Sequence, residues 1–295
     1  MIPEHSYDAE RDRLPLLSLL AEIPAYPVLI FQNGPLIRNF FVREFYGKFR
    51  GSILGVFWVL VHPIALFATF YLVFGLLFDM RAAEGKPPGW YTYYLFTGVL
   101  AWTVFSDTSL RCTTVVLDNS NLIKKVAFPA QLLPIHLALV NLIVYLVGIL
   151  AYLLVALIGG FELPGARILF LPLVLFVQLV FSIGIGLFLS AANVFFRDVS
   201  QVFPIILNLW FFATPVFWHD KMFAGRPAFE SLTPFMKLNP MLHILGAHRS
   251  VLGTHLDSTA SVLSQCGIAF VPAFLTFVFG FVLFRSLQHR FADEV

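Results

Sequence analysis

The chain has 295 residues, 59% of them hydrophobic and 12% charged, with a formal net charge of +2 and a mean hydropathy of +0.83. A soluble domain carries roughly 25% charged residues, so these figures exclude a soluble enzyme and define a polytopic membrane protein with no separate soluble domain. The small net charge says nothing about a nucleic-acid partner; the placement of the charges is the informative quantity.

The N-terminal run MIPEHSYDAERDR alternates acids and bases, and the apolar stretch behind it holds Pro15, Glu22, Pro24 and Pro27. It lacks the basic start and clean apolar centre of a cleaved signal peptide, so residues 1–35 read as a retained cytosolic extension. In 36–51, Leu36, Ile37, Phe40, Phe41, Phe45 and Phe49 recur at helical spacing, with Arg38, Arg43, Lys48 and Arg50 mostly between them. That pattern predicts an amphipathic helix in the membrane surface, rings in the acyl boundary and cations at the phosphates. It leads without a linker into a charge-free run from Ser52 to Phe78.

A membrane span needs about 20 mostly apolar residues. On that measure the chain is all-α with six transmembrane helices, at about 52–78, 91–110, 132–158, 168–194, 202–218 and 266–284. Asp107 interrupts the second, and the short fifth contains Pro204 and Pro215. With the N-terminus inside, 12 Lys and Arg fall on the cytoplasmic side (Arg11, Arg13, Arg38, Arg43, Lys48, Arg50, Arg111, Lys124, Lys125, Arg197, Arg285, Arg290). Seven fall outside: Arg81, Lys86, Arg167, Lys221, Arg226, Lys237 and Arg249. The excess places both termini in the cytoplasm. Cys112 and Cys266 then lie near opposite faces, which predicts packing roles rather than a disulfide. The outer segment 229–252 fits two short helices dipping into the outer leaflet around an Asn239-Pro240 breaker, or a folded surface loop.

Catalytic motifs are missing: the chain contains no GxxxxGK[ST], HExxH, CxxC or GxSxG. His243, His248 and His255 are poorly spaced for one helical face, so loop or interfacial histidines are expected rather than a metal site. Asp107 is the one charge inside a span, four residues before Arg111, and an i,i+4 pair accounts for it. With almost no intramembrane charge to couple an ion gradient, the energy for any transport must come from another chain. Two polar segments face the cytoplasm. Asp118–Lys125 has Asn119 or Ser120 as a helix cap, and Arg197-Asp198 closes NVFFRDV. They read either as solvated turns or as docking surface for a soluble motor. Phe67, Phe70 and Tyr71 in the first span and Trp210, Phe211 and Phe212 in the fifth are deep-lying rings, suited to core packing or to stacking against sugar C–H faces.

The runs FYGKFRGSILGVFWVLVHPIALFATFYLVFGLLF, YLFTGVLAW, NSNLIKKVAFPAQLLP, NVFFRDVSQV, LWFFATPVFW, LNPM and AHR together resemble ABC-2-type permeases that export polysaccharides. The likeness is greatest to the membrane subunit of O-antigen exporters, with teichoic-acid and capsule exporters as relatives. It spans about Asn39 to Arg290; residues 1–35 exceed the family's usual N-terminus and 291–295 form a short cytosolic tail. The resemblance implies a homodimeric channel in a bacterial inner membrane, with two copies of a separate ATPase holding ATP and Mg, and no cofactor or catalytic residue in this chain. The cargo it implies is a glycan on a polyprenyl or undecaprenyl pyrophosphate carrier. Residue by residue, it assigns ATPase coupling to Phe45, Tyr46, Asn119, Asn121, Lys124, Lys125, Arg197 and Asp198. Lipid-pyrophosphate contact falls to Arg43, Lys48 and Arg50. Trp58, Phe67, Phe70, Tyr71, Trp102, Phe105, Trp210 and Phe212 become channel-lining rings, and Asn239, Pro240, His243 and Arg249 an exit region of re-entrant helices. The competing readings are an ABC-2 permease for a smaller lipid or drug and, in a different class, a membrane enzyme acting on lipid-linked sugars. For the enzyme, Asp107, His62 and His136 are the scattered acid/base candidates.

Overall fold

The computed structural model describes residues 16–78, 90–125, 128–158, 163–219, 227–253 and 259–295, and every regular element among them is helical. The expectations attached to residues 1–15, Arg81, Lys86, Lys221, Arg226, His255 and the side chain of Lys125 lie outside the described residues. Four helical stretches there are long and apolar enough to cross a membrane: Gly55–Leu77, Ala130–Ile158, Ala166–Phe195 and Val262–Glu294.

The chain begins with α1 (Leu16–Glu22), α2 (Tyr26–Gln32) and α3 (Gly34–Gly47). From Leu16 onward the N-terminal extension is folded onto the bundle. Leu19 and Tyr26 are buried, the Tyr26 hydroxyl donates to the Gln131 carbonyl at 2.9 Å, and Glu22 pairs with Arg285 at 2.7 Å. The surface strip does not run straight into the first span. It ends at Gly47, and a corner follows in which Gly51 (φ 79°) and Gly55 (φ 51°) adopt left-handed backbone. Only glycine takes that conformation without a steric penalty, so two glycines turn the chain where a continuous apolar pattern suggested none.

Beyond the corner, α4 (Trp58–Phe70) continues as a π-helix over Tyr71–Leu77. The hub of the bundle is α5 (Trp90–Asp118), 29 residues and so about 44 Å long. Every residue from Leu95 to Phe105 is buried, as expected of a helix covered on all sides. It outruns the expected second span by eight residues, from Arg111 to Asp118. A one-residue break separates it from α6 (Ser120–Lys125); α7 (Leu133–Ile158) and α8 (Leu171–Phe195) follow.

The fifth expected span is cut short. Helix α9 covers Val199–Ala213, 15 residues or about 22 Å, against a hydrocarbon core of about 30 Å. Pro215 disfavours helical backbone in the residue before it, Thr214 is extended (ψ 138°), and Val216–Trp218 fold back into the core. After α10 (Pro227–Met236) and α11 (Pro240–Leu252), α12 (Thr259–Leu287) runs alongside α8, and α13 (Phe291–Glu294) closes the chain. One apolar cluster joins α5, α8, α9, α11 and α12; a second joins α2, α3, α7, α8, α12 and α13 at the end carrying α6. Cys112 and Cys266 are both buried and free.

Candidate functional site

At the α6 end, α3 packs on α7, and three polar side-chain contacts tie it and the following Lys48 to the last turns of α5 in antiparallel order. Arg43 donates to Asn119 Oδ1 at 2.9 Å, Glu44 pairs with Arg111, and Lys48 pairs with Asp107 at 3.4 Å. The expected Asp107–Arg111 pair is therefore replaced: both α5 charges engage α3. Asn119 does not spend its side chain on capping α6, because its Oδ1 holds Arg43 and its Nδ2 donates to the Val115 carbonyl at 2.8 Å. The α3 face towards the bundle is apolar, with Phe40 against Phe128 and His136 at 5.6 and 5.3 Å. Partly exposed ion pairs contribute only about 0.2–1 kcal/mol each. The zipper thus sets the register of two helices more than it stabilises them.

Of the expected pyrophosphate contacts, Arg43 also lies over the Phe40 ring at 4.7 Å, Lys48 is paired, and Arg50 is exposed. Tyr46 is exposed, while Phe45 packs between Phe41 and Phe49. Asn121 and Lys124 on α6 and Arg197 and Asp198 on the α8–α9 turn are exposed. Helix α13 connects these two places: it packs on both α6 and α8, with Phe291 buried against Phe195 and Phe284. The three segments singled out by sequence therefore share one end of the molecule. His136 lines a cleft of about 220 Å³ with Arg43, Glu44, Arg111, Asp118 and Asn119. His62 and Asp107 line another of about 210 Å³ with Lys48, Trp58 and Thr103. The three acid/base candidates are thus split between two clefts, and Asp107 is held by a lysine. Among the described residues no cluster of His, Cys, Asp and Glu is suited to a metal ion.

The opposite end is built around α11. Asn239 caps it, accepting from Met241 N at 3.0 Å, and Pro240 occupies the first turn, where its missing N–H costs nothing. His243 meets the Lys237 carbonyl at 2.7 Å. Arg249 is buried. Its guanidinium lies over the Tyr94 ring at 3.4 Å and donates to the carbonyls of Pro215 and Val216 at 2.7 and 2.9 Å. Gly98 makes room for it: a Cβ there would stand 2.5 Å from the Val216 oxygen and 2.6 Å from the Arg249 guanidinium. Gly98→Ala is expected to displace Arg249 and cost about 1–3 kcal/mol, read as a lower unfolding temperature in detergent.

His248 is the functional candidate that sequence reasoning missed. It is fully buried, not a loop histidine, with Nδ1 2.6 Å from the Tyr145 hydroxyl and Nε2 against Gln178 Oε1. Burial, then the neighbouring Arg249 guanidinium, lowers its pKa to about 3. A signal existed in Gln178, one of only two amides, with Asn193, in the charge-free run Ile168–Phe196; a polar side chain in such a run marks a buried partner.

The expected channel rings divide. Phe105 and Trp102 are core residues, packed against Phe181 at 5.2 Å and Phe211 at 5.5 Å. Trp58 and Phe212 are exposed, and Phe67, Phe70, Tyr71 and Trp210 are half-buried. Phe70 and Phe74 both stack on Phe217, at 6.1 and 4.3 Å.

A helical bundle with four long apolar helices among its described residues is that of a multi-pass membrane protein. More specifically, the chain belongs to the ABC-2 type transporter family, whose pattern matches residues 35–252. It is similar to the O-antigen export system permease protein RfbA of Myxococcus xanthus, 29% identical over 266 residues that cover 90% of this chain and 97% of that protein. Two proteins of the same name from Klebsiella pneumoniae are 21% and 23% identical over 246 and 248 residues, each match covering 83% of this chain and 89% of the relative.

Proposed function

We infer that the chain is the permease of an ATP-driven exporter that carries a lipid-linked, O-antigen-like polysaccharide across the bacterial inner membrane. The observation that carries this reading is similarity to O-antigen export permeases over 83–90% of the chain. In this reading two copies form the pathway, α5 and the short α9, accommodated by local thinning of the bilayer, complete six spans per copy, and both termini lie in the cytoplasm. The domain plan keeps a transmembrane unit over 36–290, flanked by the N-terminal extension and the tail 291–295.

Two copies of a separate ATPase dock at the α6 end and hold the ATP and Mg. The exposed Tyr46, Asn121, Lys124, Arg197 and Asp198 form the docking face, and Phe45 and Asn119 back it. Arg50 is the pyrophosphate contact free of the zipper, with Arg43 and Lys48 beside it; guanidinium and ammonium groups suit a diphosphate at the membrane surface. Trp58, Phe67, Phe70, Tyr71 and Phe212 are the rings available to a sugar chain sliding between copies, and Asn239, Pro240 and α11 frame the exit. Deletion of the permease should leave lipid-linked glycan inside the cell, and the purified chain should bind and stimulate its ATPase. A chain that captures no ATPase would sink the reading. Lys124→Glu with Lys125→Glu is expected to abolish surface glycan while the protein still inserts; normal glycan in that variant removes α6 from the docking face.

A further inference from the structure

The two short helices between α9 and α12 are held very differently. Helix α11 is sunk in the bundle, with Met241, Ile244, Leu245, Ala247, Val251 and Leu252 fully buried. Its first turn is tied to α9, because Asn239 accepts from Trp210 Nε1 at 2.9 Å and donates to Thr214 Oγ1 at 2.8 Å. Its last turn is tied to the 215–216 carbonyls by Arg249. His248 then fixes it to three further helices at mid-bundle. Gln178 Nε2 donates to the Ala101 carbonyl at 2.9 Å, which can only accept, so Gln178 Oε1 faces His248 and accepts its Nε2–H. The neutral ring leaves Nδ1 to accept from the Tyr145 hydroxyl. One relay thus joins α11 to α5, α7 and α8, each group satisfied by the next. Breaking one link strands the others in an apolar interior. By contrast, Leu232 and Phe235 of α10, and Leu238 just beyond it, are exposed.

We propose that α11 is a stationary wall of the permease, seated by the Tyr145–His248–Gln178 relay. His248 is a positioning residue in this scheme. The proposal rests on the export reading for one of its two assays. A Cβ at Gly246 would stand 3.2 Å from Gln265 Oε1 on α12, so Gly246→Cys with Gln265→Cys, in a chain carrying Cys112→Ala and Cys266→Ala, allows α11 to be bridged to α12. The reagent is a short bifunctional methanethiosulfonate, removable by reductant. In the assembled transporter, export and ATP hydrolysis are expected to be equal in the bridged and reduced forms. His248→Leu is expected to lower export about tenfold, the effect of stranding one or two buried polar groups, and the bridge is expected to restore it.

Loss of export on bridging, regained on reduction, overturns the proposal, as does wild-type export by His248→Leu. Should His248→Leu fail to accumulate, the bridge in the native relay decides alone. If even the unsubstituted chain exports no glycan, the export reading fails, and the effect of the bridge on ATP hydrolysis still decides whether α11 is stationary.

Discussion

Glu44→Arg is expected to cut surface glycan by up to about thirtyfold while leaving the permease in the membrane, and adding Arg111→Glu is expected to restore most of it. The single substitution turns the Glu44–Arg111 contact from attraction into repulsion at the centre of the zipper. Each contribution is about 0.2–1 kcal/mol at a partly exposed site, so the reversal shifts the α3–α5 contact by about 0.4–2 kcal/mol, enough for an up to about thirtyfold change in an equilibrium. Insertion and folding depend on the apolar contacts of Ile37 and Phe40, which the substitution leaves in place. If α3 and α6 were independent handles for the ATPase, the α3–α5 register would not matter and the single variant would export normally. The structure links them instead, since Arg43 reaches Asn119 at the start of α6. The double variant restores both the pairing and the net local charge, so the separating control is Arg111→Glu alone, which breaks the pairing with the opposite change of charge and is expected to export as poorly as Glu44→Arg. Surface glycan measured beside membrane protein level, with ATP hydrolysis by the purified complex, checks the expectation. A double variant as poor as the single would refute the register argument.

Much of this arrangement was legible in the sequence wherever a pattern is local. The apolar runs gave the long helices, the Asn239-Pro240 pair marked the start of α11, and the three polar segments now found at one end were each visible as breaks in hydropathy. What escaped was whatever depends on contacts across the bundle. An i,i+4 spacing made Asp107 and Arg111 look like a pair because nothing local announces that α3 returns antiparallel with Lys48 and Glu44 opposite them. The corner at Gly51 and Gly55 was hidden because an apolar pattern does not record the sign of φ. His248 reads as a loop or interfacial histidine because a 13-residue helix is too short to span, whereas its polar partners, Tyr145 and Gln178, come from two other helices. Phe105 and Trp102 resembled a sugar path for a related reason: a ring's identity does not say whether its neighbour is another ring or a substrate.

The close approach of α8 and α12 supplies the other large expected effect. Gly280→Ala should lower the unfolding temperature of the detergent-purified chain sharply and reduce its level in the membrane. A Cβ on Gly280 would lie 2.1 Å from the Gly184 carbonyl oxygen and 3.0 Å from its carbon, and a Cβ on Gly184 would lie 2.6 Å from the Phe277 backbone. These walls are main chain on both sides, so no side chain can rotate away and the helices themselves must separate. Inside a membrane, where small residues let backbones approach and packing replaces the hydrophobic drive, that separation forfeits contact along the most closely packed helix pair. Overpacking of this kind costs about 1–3 kcal/mol, occasionally more, against a total stability of about 5–15 kcal/mol. The control lies on the same helix. Nothing would stand within 4 Å of a Cβ at Gly267, so Gly267→Ala should be neutral or stabilise by up to about 1 kcal/mol through helix propensity alone. Equal unfolding temperatures for the two variants would mean that α8 and α12 do not meet backbone to backbone in the folded permease. A large gap between them would locate a tight backbone seam between α8 and α12.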